Sequence, residues 1–271
     1  MKARKKLYNK QRIVIKIGTS SLTFSNGKLN FQRIEKLVKV LYEVQSAGKQ
    51  VILVSSGAVA VGSGRLGLEK KPENVVDKQA MAALGQAELI RIYQKFFDEH
   101  SQLVAQVLIT KDAITLSDRR KTAKDALLAI IGMHVIPIIN ENDTVATEEI
   151  EFGDNDTLSA YVADLVDADL LVLLSDIDGL FSADPRKYPY AKIIHEVDDI
   201  TPEVEALASG EGSSFSTGGM ATKISAAKIC MESGIDMVIA NSTNPTVIHD
   251  ILRGEEVGTL FSFSAYTEMK A

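Results

Sequence analysis

A chain of 271 residues, 45% of them hydrophobic, can close a substantial core as one large domain or two small ones. Its net charge of −6 does not favour a nucleic-acid partner, although local lysines can still serve an anionic substrate. A single cysteine, Cys230, excludes an internal disulfide framework and fits a reducing compartment, and no apolar run approaches the about 18 residues that a membrane helix needs.

The N-terminus is basic (Lys2, Arg4, Lys5, Lys6, Lys10, Arg12). Lys16, Gly18, Thr19 and Ser20 interrupt the apolar stretch that a signal peptide would need, so residues 1–11 read as a short solvated arm on a cytoplasmic protein. RIVIKIG (12–18) predicts the first strand. Phe31, Ile34, Leu37, Val38, Leu41 and Val44 then recur at helical spacing, with Asn30 as N-cap and Gly48 as the stop. QVILVSS (50–56) is continuously apolar rather than alternating, which suits a strand covered on both faces in a parallel sheet. A helix over about 73–98, the strand LVAQVLI (103–109), a helix near 118–131 and the strand HVIPII (134–139) follow.

Residues 140–156 (NENDTVATEEIEFGDND) carry seven carboxylates and no basic residue. Such density usually marks a solvated tail. Here it is pinned between a core strand and a helix over TLSAYVADLVDA (157–168), so some of its carboxylates should have fixed partners: lysines, a metal or a substrate ammonium. TVATEEIEFG within it alternates weakly, as a hairpin would. Beyond lie the strand DLLVLLS (169–175) and the loop ASGEGSSFSTGG (208–219), which is either a surface loop or one that closes on phosphate. A helix near 221–233 contains Cys230 as a packing residue, DMVIA (236–240) is a strand, NPTVIHDILRG holds a late helix, and GTLF (258–261) is a final edge strand. The succession predicts an α/β protein, a three-layer αβα sandwich with a mainly parallel central sheet.

Four motifs are candidates for chemistry. Lys16, Gly18, Thr19 and Ser20 end the first strand, where α/β sheets bind ligands; Gly18 would admit a phosphate to the backbone and Lys16 supply a point charge. The plainer alternative is a lysine reaching solvent. Ser55, Ser56, Gly57 and Ala58 form a small-residue turn that offers N–H groups and a hydroxyl to an anion, or simply a tight turn. Ser216-Thr217-Gly218-Gly219-Met220-Ala221-Thr222-Lys223 runs two glycines into a helix N-terminus with a lysine in its first turn, a setting for polyphosphate or a loop with a surface lysine. Gly153-Asp154-Asn155-Asp156 exceeds what one helix cap requires. No GxxxxGK[ST] is present. The GxGxxG match at Gly62, Gly64 and Gly67 starts too far after its strand to be a convincing dinucleotide fingerprint. The four histidines are scattered, and no metal ligand is assigned.

Together the segments IVIKIGTSSLT (13–23), VSSGAVAVG (54–62), INENDTVATEEIEFGDNDTLSA (139–160), LLSDIDGLFSADPR (173–186), STGGMATK (216–223) and VGTLF (257–261) resemble the amino acid kinase family, in that family's order over nearly the whole chain. INENDTVA with GDND points to the branch acting on free glutamate. The resemblance implies a single kinase domain over 12–271, with a substrate part at about 12–165 and a nucleotide part at about 166–262. It implies phosphorylation of the L-glutamate side-chain carboxylate by ATP with Mg2+, giving glutamyl 5-phosphate, the first step of proline synthesis. By the same match, Lys16 and Lys223 stabilise the transferring phosphoryl group and Asp154 and Asp156 orient them. Ser56, Gly57, Asp143 and Asn155 bind glutamate; Lys16, Gly18, Ser175, Asp176 and residues 217–223 hold the nucleotide. Family habit adds homo-oligomers and proline as feedback inhibitor. Many members carry a further RNA-binding-type module after the kinase domain; with ten residues following VGTLF, it is expected to be absent here.

Two alternatives remain at this stage. One keeps the fold but changes the acceptor to N-acetylglutamate, aspartate, carbamate or UMP; a free ammonium calls for an anion such as Asp143, which N-acetylglutamate would not. The other is a ligand sensor on a kinase-like fold, against which the retained lysines and aspartates stand.

Overall fold

The computed structural model describes residues 2–24, 26–68, 70, 72–145, 155–208 and 219–263. Helix α1 (Lys2–Lys5) and a 3-10 turn (Lys6–Asn9) lead into β1 (Arg12–Ile17), α2 (Thr19–Leu22) and α3 (Phe31–Ser46). Next come β2 (Gln50–Ser55), α4 (Ala58–Arg65), α5 (Val75–Asp98), β3 (Val104–Ile109), α6 (Asp112–Thr115), α7 (Ser117–Gly132) and β4 (Ile136–Glu141). The later half holds α8 (Asn155–Leu165), β5 (Leu170–Ser175), β6 (Leu180–Phe181), β7 (Ile193–Ile194), β8 (Glu196–Val197) and α9 (Pro202–Ala208). It closes with α10 (Met220–Glu232), β9 (Asp236–Asn241), α11 (Val247–Leu252) and β10 (Thr259–Phe261).

The strands and long helices expected from sequence are all present, with ends moved by a few residues. Asn30 caps α3 by accepting from Arg33 N at 3.2 Å, as its position suggests. The strand expected from His134 begins instead at Ile136. His134 takes a left-handed φ of 60°, and the N–H groups of 134 and 135 close the end of α7 on Ile131 and Ile130.

The chain divides into two compact units, Ile17–Phe152 and Met1–Lys16 with Gly153–Ala271. In the first, β4 lies between β2 and β3, both parallel to it, with Leu53 opposite Ile138 and Gln106 opposite Ile138 on the other side. All six β4 residues are buried, so both of its faces are covered. In the second the order is β1-β5-β9-β10-β8, with β5 and β9 parallel from Leu170↔Asp236 to Ser175↔Asn241, and β6 and β7 form a separate antiparallel ribbon. The fold class is the expected mainly parallel αβα arrangement. Cys230 is fully buried in α10, in the packing role foreseen for it.

Two expectations fail within the second unit. The basic arm is only partly solvated: Lys5, Lys6, Tyr8, Asn9 and Gln11 are exposed, but Arg4 is 3% exposed and Leu7 0%. The Arg4 guanidinium donates to the carbonyls of Glu255, Val257, His195 and Gly258 at 2.5–3.1 Å, and Lys10 pairs with Asp236 at 2.7 Å. A guanidinium presents five donors; the two terminal nitrogens find these four carbonyls, while the Nε–H is buried without a partner among the described residues. GTLF is not an edge strand: β10 pairs with β9 antiparallel and with β8 parallel. The two-residue β8 is too short to announce itself by periodicity. The hairpin expected over 144–153 and the loop over 208–219 lie largely outside the described residues.

Candidate active site

Lys16 is the fifth residue of β1, where Ile13, Val14, Ile15 and Ile17 are no more than 2% exposed. At 8% exposure its ammonium has left water, and a buried charge needs an opposite one. Asp156, fully buried in the first turn of α8, supplies it: Oδ1 lies 2.5 Å from Lys16 Nζ. The other oxygen, Oδ2, accepts from Lys223 Nζ at 3.0 Å. Thr222 Oγ1 is also 3.0 Å from Oδ2 and 2.7 Å from the Gly219 carbonyl.

Three elements thus converge on one carboxylate. Burial raises the proton affinity of Asp156 most, but the ammonium groups of Lys16 and Lys223 together outweigh it and hold the carboxyl below its ordinary value. Among the described residues, two ammonium groups share this one carboxylate. Gly219 caps α10 without a side-chain hydrogen bond, and no acidic residue stands in the helix's first turn. That helix end offers N–H groups and a positive dipole beside Lys223. The arrangement suits an oligophosphate anion.

Ser175 ends β5 at 8% exposure; its hydroxyl is 3.2 Å from Asp176 Oδ1, and its carbonyl accepts from Ser242 N at 2.7 Å. The Asp176 side chain is exposed, with Arg186 at 3.8 Å.

In the Ile17–Phe152 unit, the turn after β2 gives the Ser56 N–H to the Ile17 carbonyl at 3.2 Å, so that donor is already used. Gly57 has φ 103°, a left-handed geometry that favours glycine, and it opens α4 with no side-chain cap. Gly18 has φ −82° and caps α2; its backbone does not itself demand glycine. Asp143 is half-buried after β4. Burial pushes its carboxyl up to about 6, against a hydrogen bond from its own backbone, and no cation pairs with it among the described residues.

Lys16, Asp156, Thr222 and Lys223 are therefore brought together, with Gly219, Met220 and Ala221 forming the adjoining helix end. Asn155 immediately precedes Asp156. Ser56, Gly57 and Asp143 belong to the other unit. Asp154, Thr217 and Gly218 lie outside the described residues. Sequence reasoning missed Gln86 and Tyr93 of α5. Gln86 accepts from Asn140 Nδ2 at 3.1 Å, and Tyr93 OH lies 3.0 Å from Ser55 Oγ. Both polar groups fall on the apolar stripe of α5, beside Gly85, Leu89, Ile92 and Phe96. A glutamine on a buried stripe is the signal that could have revealed them.

Residues 11–241 match the sequence signature of the amino acid kinase family. The chain is 52% identical to the glutamate 5-kinase of Listeria monocytogenes over 263 residues, 96% of this chain and 95% of that one. It is 50% identical to the glutamate 5-kinase of Clostridium perfringens over 262 residues, 95% and 97% of the two chains. Among solved structures, UMP kinase from Ureaplasma parvum matches with a TM-score of 0.64 at 16% identity, covering 93% of this chain and 99% of the other. That likeness is one of fold alone.

Proposed function

The chain belongs to the amino acid kinase family, and from that premise we propose that it transfers the γ-phosphoryl group of ATP, taken as its Mg2+ salt, to the side-chain carboxylate of L-glutamate. The observation that carries the reading is the shared carboxylate of Asp156, which holds Lys16 and Lys223 beside a helix N-terminus whose Gly219 cap makes no side-chain hydrogen bond. The half-identical relatives named glutamate 5-kinase support glutamate as the acceptor.

The chemistry asks little of proton transfer. A glutamate side chain is ionised at pH 7, so one of its oxygens attacks the γ-phosphorus without a general base. The bond to the β–γ bridging oxygen breaks, and ADP leaves with that electron pair. The protein's part is alignment and neutralisation of charge on the phosphoryl oxygens. Lys16 and Lys223 supply the cations, and Asp156, with Asp154, fixes their direction. Ser175, Asp176, Gly18 and residues 217–223 hold the nucleotide. Ser56, Gly57, Asp143 and Asn155 hold glutamate, with Asp143 taking its α-ammonium. Mg2+ favours phosphate oxygens and water over dedicated protein cages, so it is assigned to ATP rather than to a side chain.

The division of labour is a substrate part at about 12–165 and a nucleotide part at about 166–262 within one kinase domain. The product, glutamyl 5-phosphate, opens proline synthesis. Proline as feedback inhibitor, a homo-oligomeric state and a cytoplasmic location belong to the same proposal. No described helix is long and apolar enough to cross a membrane. The test is chemical trapping. Purified chain with glutamate, ATP and Mg2+ should yield γ-glutamyl hydroxamate when hydroxylamine is added, and N-acetylglutamate should yield none. No hydroxamate from glutamate refutes the reaction; equal product from both acceptors refutes the assigned substrate.

A further inference from the structure

Among the motifs the reaction leaves without a task is VGTLF, residues 257–261. Its threonine is fully buried and packs under the segment that follows Ser175 and Asp176. We propose that Thr259 is a positioning residue for the nucleotide: its hydroxyl, together with Asn241, clamps residues 175–181 so that Ser175 and Asp176 meet ATP in one geometry. This rests on the reading that those two residues hold the nucleotide.

The contacts are specific. Thr259 Oγ1 accepts from Leu180 N at 2.8 Å and donates to the Ile194 carbonyl at 2.6 Å. Leu180 and Ile194 face each other across the β6–β7 ribbon, so one hydroxyl ties both strands of that ribbon to β10. Gly179 makes the approach possible: a β-carbon there would come within 2.5 Å of Thr259 Oγ1 and 3.0 Å of Ile193. β10 is itself fixed, with Thr259 opposite Ile239 of β9 and Leu260 opposite Glu196 of β8. From the other side, Asn241 Nδ2 donates to Asp178 Oδ1 at 2.6 Å while its Oδ1 accepts from Thr243 N at 2.8 Å. Ser242 N holds the Ser175 carbonyl at 2.7 Å.

Anchors therefore fall on Ser175, Asp178 and Leu180, each from outside the segment. Asp176, between them, keeps an exposed carboxylate. A loop fastened on either side of an exposed polar residue presents that residue in a single orientation, and ordering a loop in advance lowers the cost of binding. A hydroxyl suits the buried position because it offers one donor and accepting lone pairs in the volume of a methyl group. Valine would fill that volume and leave the Leu180 N–H and the Ile194 carbonyl without this partner.

The test compares Thr259→Val, Thr259→Ser and Asn241→Ala in the full chain, by steady-state kinetics and by amide exchange over 176–181. Thr259→Val should raise KM for ATP by about tenfold or more while KM for glutamate stays within about twofold. Thr259→Ser should restore most of the ATP affinity. Amides of 177–181 should exchange faster in Thr259→Val even without nucleotide. An unchanged KM for ATP, a parallel rise for both substrates, or a serine variant as impaired as the valine one would overturn the assignment. Should Thr259→Val fail to fold, Asn241→Ala decides: a selective rise in KM for ATP supports the clamp, and no rise refutes it. Absence of hydroxamate from the unmutated chain would instead bring down the kinase reading, and the exchange rates would still decide whether Thr259 holds the segment.

Discussion

Lys16 and Lys223, from β1 and from the first turn of α10, bind the two separate oxygens of one carboxylate, that of Asp156. Neither lysine is more than 8% exposed, and Asp156 is fully buried, so the three charges depend on one another. Removing the anion would leave two ammonium groups in low dielectric. We expect Asp156→Asn to cost about 3 kcal/mol or more of stability. Added ATP should recover part of the loss, because its phosphates bring the missing negative charge. Urea unfolding with and without nucleotide measures both effects.

The lysines should behave differently one at a time and together. Lys16→Ala or Lys223→Ala leaves Asp156 the other lysine, so each variant should fold while its turnover falls by about a hundredfold or more. The double variant leaves a buried carboxylate without either lysine. Its stability loss should exceed the sum of the single losses by about 1 kcal/mol or more. Additive losses in a double-mutant cycle would show that Asp156 does not bridge the pair in solution.

Asp143 gives a pH dependence of defined sign. Burial raises its carboxyl to about 6, so below that pH it is protonated and a poor partner for an ammonium. KM for glutamate should therefore fall as pH rises through about 6, and Asp143→Asn should flatten that profile at a weaker affinity. Stability moves the other way. A carboxyl raised above its unfolded value favours the fold below that unfolded value and loses this contribution as pH rises through the folded one. Asp143→Asn should consequently be more stable than the original chain at pH 8, with the gap closing as pH falls. Asp156 has the opposite sign: its lowered carboxyl stabilises above the ordinary carboxylate range, and that stabilisation is lost as pH falls through its depressed folded value.

The elements that could be read from sequence are those whose signal is local. β5 and β9 are continuous apolar runs, α3 has a stripe and a cap, and Lys16 and Lys223 stand beside glycines at strand and helix ends. Asp156 was legible as one of several acidic candidates because three polar residues in a row exceed the need for a cap. Its role as common anchor was not legible, since it depends on β1, α8 and α10 meeting in space. The buried Arg4 misled for the same reason: the four carbonyls that receive it are contributed from 195 and 255–258. α4 escaped notice because AVAVGSGR has two glycines and no clear stripe. Its helical form is stabilised by what it packs on rather than by propensity.

That packing supplies the last prediction. Gly85 of α5 approaches α4 so closely that a β-carbon would lie 1.8 Å from the Ala58 carbonyl oxygen and 2.6 Å from Gly62 N. A β-carbon on Gly62 would in turn lie 2.0 Å from the Met81 carbonyl oxygen. Both obstacles are backbone, so neither can rotate away. Gly85→Ala should cost about 2 kcal/mol or more, at the upper end of overpacking penalties. Because α4 starts directly after Ser56 and Gly57, the displaced helix should also raise KM for glutamate more than KM for ATP. Gly132→Ala is the control: it sits at the end of α7 with nothing within 4 Å of the added carbon. There, alanine should leave kinetics unchanged and stabilise by up to about 1 kcal/mol through helix propensity and the unfolded chain. Equal unfolding midpoints for the two variants would mean that α4 does not rest on α5 through these glycines.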